Sequence, residues 1–306
     1  MNVLHISDVH YSSNAARTDG MSADALASLH EEGCEGAPFA ARPPKFYPAM
    51  LDYMGSTIPV LERRLRDAFA QATPDVVLLT GDLVDRGGSE AYRELAESFR
   101  SVVDELAGGM LPVVATPGNH DDRAAFRDGW PEILPGEGDE PAFFVREVDG
   151  TAFVSFDTSE AGCSNGYVDD ARLAWLEGTL ADLSARGVPA VVCTHHHLDP
   201  GQSDMSPCPR AHDLLVLLRR YNAVLFNGHT HHQAHSMLEG VPYYTADALS
   251  FQADSLDVRK SGLLPVRAVR FRKVYGYNMY RLEGAHVQCA QTVTCDTGEL
   301  LGDMVI

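Results

Sequence analysis

Five apolar runs in this sequence end in the same way, in residue types that bind metals. VLHISDVH at 3–10, VVLLTGDLVDRG at 76–87, VVATPGNHD at 113–121, VVCTHHH at 191–197 and VLFNGHTHH at 224–232 each read as a buried strand that stops in Asp, Asn or His. One histidine beside a core strand is ordinarily a hydrogen-bonded structural residue. A series of such ends needs a common reason. In open α/β sheets ligands sit outside the carboxyl ends of the strands, which is where all five clusters would project. They stretch from Asp8 to His231, so if they meet in space most of the chain is one domain.

The rest of the pattern supplies that architecture. Strands are expected near Val3–Ser7, Val76–Thr80, Val113–Thr116, Ala152–Phe156, Ala190–Thr194 and Val224–Asn227, with helices between them. Such alternation marks an α/β fold whose helices cover a largely parallel sheet. The segment Ile58–Ala72 places Val60, Leu61, Leu65, Ala68 and Phe69 at helical intervals and tolerates Pro59 in its first turn. Further helices are expected from Ser89 and from Asp169, each as N-cap, the second stopping at Gly187. A last one covers AHDLLVLLRRY at 211–221. Residues 1–250 are therefore read as one catalytic domain. From residue 251 to 306 aromatic and β-branched alternation predicts antiparallel strands that complete a second sheet or form an oligomer contact. Residues 12–50, rich in Gly, Pro, Ala and Ser, read as an insertion following the first cluster. So long a connection is usually functional, and its ends must lie near the first cluster, so a lid or an oligomer contact is expected.

Bulk properties narrow the function. The formal net charge of -19, with no Lys/Arg-rich run, argues against long nucleic acid as a partner. Strand character from Val3 leaves no room for a secretory leader, and no apolar run approaches the ~18 residues of a membrane span. A cytoplasmic protein is expected. The cysteines, Cys34, Cys163, Cys193, Cys208, Cys289 and Cys295, lack CxxC spacing and read as reduced thiols, with a Cys289–Cys295 bridge as the alternative.

The strand-end set is Asp8, His10, Asp82, Asn119, His195, His229 and His231. Carboxylates, imidazoles and one amide suit Zn, Mn or Fe, whereas calcium would want more oxygen. Seven ligands are too many for one ion and suffice for two if a carboxylate bridges. Asp82, in the middle cluster, is the natural bridge. In an extended segment side chains at i and i+2 share a face, so Asp8 with His10, and His229 with His231, are each expected to point as a pair. Two divalent ions against two carboxylates leave positive charge for an anionic substrate. Such a pair generates hydroxide near neutral pH and clamps both oxygens of an in-line phosphoryl displacement, which predicts phosphoester hydrolysis.

These motifs carry a resemblance. DVH at 8–10, GDLVD at 81–85, GNHD at 118–121, the first His of THHH at 195 and GHTH at 228–231 resemble, in order, the motif set of the calcineurin-like metallophosphoesterases. SFDTSEAGCSNGYVDDARLAWLEGTL, YYTADALSFQ and VYGYNMYRLEGAHV are most similar to the group of cyclic-nucleotide phosphodiesterases and glycerophosphodiesterases. The resemblance implies a four-layer α-β-β-α sandwich with two mixed sheets. It implies one ion at Asp8, His10, Asp82 and His231, and a second at Asp82, Asn119, His195 and His229. It also implies that His120 steadies phosphoryl oxygens and protonates the leaving alkoxide, with Asp85 as the partner that keeps it charged. Asp85 reads equally as a capping or surface carboxylate after the strand. HHHLDPG departs from the His-Pro-Pro that often follows the first His in relatives, so a loop beside the site is altered.

Neighbouring residues have plainer readings. Adjacent strand residues alternate in face, so His196, His197 and His232, which neighbour ligands, read as structural residues or as partners of the ligands rather than as ligands themselves. His5, His30, His212, His235 and His286 read as packing or surface residues. Arg86 reads as a phosphate contact or a surface residue, and Tyr243 and Phe251 as core or as platforms for a base. The expected function is a metal-dependent phosphodiesterase of small diesters of the cyclic nucleotide or glycerophosphodiester type. The alternatives are a phosphomonoesterase or nucleotide pyrophosphatase on the same centre, or a non-catalytic scaffold. Edge strands in the tail admit a homo-oligomer.

Overall fold

The computed structural model describes residues 1–13, 53–258 and 266–305, with the side chains of Arg86 and of 256–258, 266–268 and 303–305 outside this set. Nearly all of the 12–50 insertion, with His30 and Cys34, therefore falls outside the described residues. In chain order the first elements are β1 (Asn2–Ile6), β2 (Tyr11–Ser12), α1 (Thr57–Gln71), β3 (Val76–Leu79), β4 (Val84–Arg86), α2 (Gly88–Ala107), β5 (Val113–Ala115) and α3 (Arg123–Gly129). Then come β6 (Phe144–Val148), β7 (Thr151–Ser155), α4 (Asp170–Ala185), β8 (Ala190–Cys193), α5 (Ala211–Arg220) and β9 (Val224–Asn227). The chain closes with β10 (Ala234–Leu238), β11 (Val241–Thr245), β12 (Phe251–Val258), β13 (Val266–Glu283) and β14 (His286–Val305).

Pleat alternation assigns each strand residue a layer. Leu4, Ile6, Val77 and Leu79 face outward onto Leu61 and Leu65 of α1 and Tyr92, Leu95 and Phe99 of α2. Val3, Val76, Leu78 and Val114 face inward onto Phe153, Val191, Val224 and Phe226 of the second sheet. That sheet turns Val154, Val192 and Leu225 outward against Leu176 and Leu180 of α4 and Leu214 and Leu218 of α5. The result is the expected four-layer α-β-β-α sandwich.

Both six-stranded sheets are mixed, and β2 pairs with β4 in a small parallel ribbon. In the first, β1, β3 and β5 run parallel, and the tail strands join it: β13 pairs antiparallel with β1 from Asn2↔Arg281 to His5↔Asn278. Farther along, β13 pairs with β12, while β14 follows it from Ala268 to Glu283. The second sheet has the order β10-β11-β9-β8-β7-β6, parallel from β11 to β7 and antiparallel at both edges. The parallel core puts the ends of β1, β3, β5, β8 and β9 on one side, which is what brings distant clusters together.

Two local expectations are corrected. Ser89 is not an N-cap: α2 starts a residue before it, capped by Gly87 in the left-handed region at φ 119° without a side-chain bond. Asp169 does cap α4, its carboxylate accepting from Arg172 N at 2.8 Å. The alternative Cys289–Cys295 bridge fails on geometry. Both thiols are free and lie on β14 opposite Arg281 and Tyr275. Six strand residues span about 20 Å, whereas a disulfide needs Cα atoms within about 7 Å. Among the described residues no helix is long and apolar enough to cross a membrane.

Candidate metal centre

All seven expected ligands lie just past strand ends, and the backbone there is unusual. Asp8, His10, Asp82, His229 and His231 all have positive φ, between 48° and 73°. The left-handed region is rare for residues with a Cβ and costs about 1 kcal/mol or more at each position. Roughly 5 kcal/mol for five residues is a large share of a typical net stability of 5–15 kcal/mol. Backbone bonds hold the turns: Asp8 N donates to Gly81 O at 3.0 Å, His10 N to Asp82 O at 2.9 Å and Gly228 N to His195 O at 3.0 Å.

This conformation corrects the pairing expected from strand pleat. β1 and β9 end at Ile6 and Asn227, before the ligands, so no i, i+2 rule applies. Asp8 and His10 do share a cluster, together with His231. His229 diverges from His231 and joins His195 and His196 instead.

In the first set His10 Nε2 lies 3.1 Å from His231 Nε2, and His231 Nε2 lies 3.4 Å from Asp8 Oδ1. In the second, His195 Nε2 is 3.1 Å from His229 Nδ1 and 3.2 Å from Asn119 Oδ1. Asp82 Oδ2 stands between them, 3.6 Å from His10 Nε2 and 3.2 Å from His195 Nε2. Two ligand atoms about 2.0–2.2 Å from one cation are roughly 3 Å apart, so these spacings fit a divalent ion in each set. A buried atom of the first set agrees: Asp8 Oδ1 has no hydrogen-bond partner. Buried polar atoms without partners are costly unless something else satisfies them.

Ligation needs anionic carboxylates and neutral imidazoles. Asp82, His229 and His231 are held in that state. Burial lifts Asp8 to about 6, and His195, which burial would lower, is lifted by Asp82 to about 9, so an entering cation would displace its proton. Burial opposes charge on Asp82, yet His195, His120 and His10 hold its carboxyl well below the usual range. Burial, reinforced by neighbouring imidazoles, holds His229 and His231 well below the ordinary histidine value. Tautomers are fixed from behind. His231 Nδ1 donates to Phe251 O at 2.6 Å and His195 Nδ1 to Thr80 O at 2.7 Å, which turns each Nε2 toward the site.

His120 stands at the rim, its side chain 44% exposed, with Nδ1 donating to Asp85 Oδ1 at 2.7 Å. Burial alone would lower its pKa, but the charge of Asp82 and the bond to Asp85 push it up to about 10. Asp85 also lies 3.7 Å from His10 Nδ1, and the N-cap of α2 is Gly87, not Asp85.

The plainer readings resolve as follows. His196 does not point away from the cluster, because β8 stops at Cys193; its ring centroid is 4.7 Å from that of His229, and its Nδ1 shares a hydrogen bond with Thr158 Oγ1 at 2.8 Å. His197 stacks on His229, and His232 faces Asp254 at 3.4 Å. His5 is buried against Phe226 and Tyr280, His235 faces Tyr280, and His212 faces Glu239. Tyr243 is core, and Phe251 packs on His10 and His231. One contributor was missed: Asp121, the last residue of GNHD. Its carboxylate accepts from Gly118 N, Leu83 N, Val84 N and Tyr92 Oη and so locks the Asp82 loop to the Asn119 loop. An acid closing a glycine-started turn was the available signal.

A protein of Enterobacter lignolyticus named glycerophosphodiester phosphodiesterase GpdQ is 33% identical over 166 residues, 52% of this chain and 56% of its own length. A probable cyclic nucleotide phosphodiesterase of Rhodococcus erythropolis is 29% identical over 240 residues, 74% of this chain and 76% of that one. A cAMP/cGMP dual specificity phosphodiesterase of Mycobacterium tuberculosis is 30% identical over 186 residues, 59% of this chain and 56% of that one. The match thus spans little more than half the length of the first and third. In fold the chain is similar to a dimetal phosphatase from Danio rerio, with a TM-score of 0.57 at 14% identity over 97% of this chain and 98% of that one. The profile of the family described as calcineurin-like phosphoesterase matches residues 1–233, and this chain belongs to that family.

Proposed function

We propose that this protein is a dinuclear-metal phosphodiesterase that hydrolyses small diesters of the cyclic nucleotide or glycerophosphodiester type. The observation that carries the proposal is the Asp82 carboxylate, within 3.6 Å of imidazoles from both ligand sets. Asp8, His10, Asp82 and His231 would hold one divalent ion, and Asp82, Asn119, His195 and His229 the other. When bound, such a pair supplies Lewis-acid charge for phosphoryl oxygens and makes water a nucleophile near neutral pH.

The chain's own residues do the rest. His120 keeps a proton on its ring because Asp85 accepts from its Nδ1, and its exposed side presents Nε2 to the leaving oxygen. Phe251 packs against the rings of His10 and His231 and so limits their rotation. The names of the relatives support diesters over monoesters. We assign the catalytic unit to residues 1–250, with 251–306 closing the sheet behind it.

The test is metal-stripped protein reloaded with Mn, Zn or Fe and offered bis-p-nitrophenyl phosphate, p-nitrophenyl phosphate, cyclic AMP and glycerophosphocholine. Metal-dependent turnover of the diesters above the monoester, abolished by Asp82→Ala, is expected. Preference for the monoester would replace the diester assignment with a phosphomonoesterase on the same centre. Bound ions without turnover of any substrate would favour a scaffold.

A further inference from the structure

The loop after β8, HHHLDPGQSD, departs from the resembling family and ends beside the GHTH turn. One residue in it makes bonds that the two-ion reading does not use. Gln202 Nε2 donates to Thr230 Oγ1 at 2.8 Å and to Thr245 Oγ1 at 2.9 Å, and its Oε1 accepts from Tyr243 Oη at 2.8 Å. The orientation of the amide follows from its neighbours. Tyr243 Oη already accepts from Asn227 Nδ2 at 2.7 Å and from Leu198 N at 3.1 Å, so its own proton goes to Gln202.

Thr230 sits between His229 and His231, whose left-handed backbones have no strand pleat to aim them. Its hydroxyl donates to His232 O at 3.2 Å and accepts from Gln202, so the turn is gripped at its middle residue. The two imidazoles differ in what else holds them. His231 has its own tether to Phe251 O, whereas the ring of His229 touches His195 through Nδ1 and has no partner at Nε2.

We infer that Gln202 is a positioning residue for the metal centre: through Thr230 it fixes the GHTH turn, and the site that draws on His229 depends on it most. This rests on the two-ion reading above. Losing the outer hydrogen-bond partner of a metal ligand typically lowers metal affinity about 10–100-fold. Gln202 acts one bond further out and through the backbone, on a ligand whose backbone N donates to Asp8 Oδ2 at 3.2 Å but whose ring, unlike that of His231, has no carbonyl to hold it from behind.

The experiment is calorimetric titration of stripped protein with Mn and with Zn, the two steps assigned by His229→Ala and His231→Ala. Gln202→Leu should weaken the His229 step about 10–100-fold and the His231 step less, with the urea midpoint of the metal-free protein held near wild type. Thr230→Val should do the same, Thr230→Ser should bind as wild type, and Gln202→Leu with Thr230→Val should be no worse than either alone. Wild-type affinity in Gln202→Leu overturns the inference. So does an additive double variant, or a loss that tracks a fall in the urea midpoint, since either would make Gln202 a general structural residue. A wild-type protein that binds no ion sinks the two-ion reading and this inference together.

Discussion

His120 and His5 each have one fixed hydrogen-bond partner, and their surroundings drive them in opposite directions. For His120 the partner is the Asp85 carboxylate, and the ring faces solvent. The role proposed for it matters only when the leaving oxygen needs a proton. His120→Ala should therefore slow hydrolysis of cyclic AMP, with its alkoxide leaving group, by about 10²–10⁴-fold. Bis-p-nitrophenyl phosphate, which releases a stable phenolate, should lose far less; equal losses would show that His120 is no general acid. His5 is fully buried between the sheets, with Nε2 at 2.8 Å from Thr80 Oγ1 and Nδ1 without a partner. Burial, with a smaller push from His235, lowers its pKa to about 3. Below about pH 6.5 the unfolded chain takes up a proton that the folded chain refuses. Stability is therefore full above that pH and falls as pH drops from 6.5 toward 3, by about 2 kcal/mol at pH 5. His5→Gln should flatten the decline of the urea midpoint between pH 7 and 5 by about one proton. Unchanged slopes would mean that another group carries it.

Strand ends meet closely enough that some positions admit no side chain. A Cβ on Gly118 would lie 2.1 Å from Asp82 Oδ1 and 2.5 Å from Asp82 N, and one on Gly228 would lie 1.9 Å from Ser7 Oγ. Gly118→Ala must therefore displace the Asp82 carboxylate proposed as the bridge. A misplacement of about 1 Å costs on the order of 10²-fold in turnover, so activity and ion binding should fall while the far-ultraviolet circular dichroism stays unchanged. Retained ion binding would show that Asp82 is not the bridge. The same closeness explains what could be read in advance. Parallel strands buried on both faces are continuous apolar runs, and β1, β3, β5, β7, β8 and β9 all lie within a residue or two of where such runs place them. Helix α3, of 7 residues, is too short to show a period, and β10 is mostly exposed, so neither announced itself. The left-handed turns at Asp8, His10, His229 and His231 leave no mark in composition, which is why the pleat rule misplaced His229. Gln202 meets Thr230 and Thr245 across 28 and 43 residues, and no local pattern reports such a contact.

At the scale of the molecule, the two ligand sets join the two sheets. Asp8, His10, Asp82 and Asn119 come from loops of the first sheet, and His195, His229 and His231 from loops of the second. Elsewhere the sheets meet through an apolar layer and a few polar ties, such as Ser155 Oγ donating to Ala115 O at 3.0 Å. An apolar layer resists separation but carries no direction. Cations held from both sides would fix the sheets at their active end and offset the repulsion among carboxylates in a chain of net charge -19. An ion that binds only the folded state stabilises it by about 2.7 kcal/mol at a hundred times its Kd. Two ions therefore contribute about 5 kcal/mol, roughly 10 °C in Tm for a chain of this size. Chelation should lower Tm by that amount, readdition of Mn or Zn should restore it, and His229→Ala, with one site lost, should show about half the shift. If chelation strips both ions and Tm does not move, the ligand sets do not couple the sheets, and the strained turns would then serve catalysis without contributing to stability.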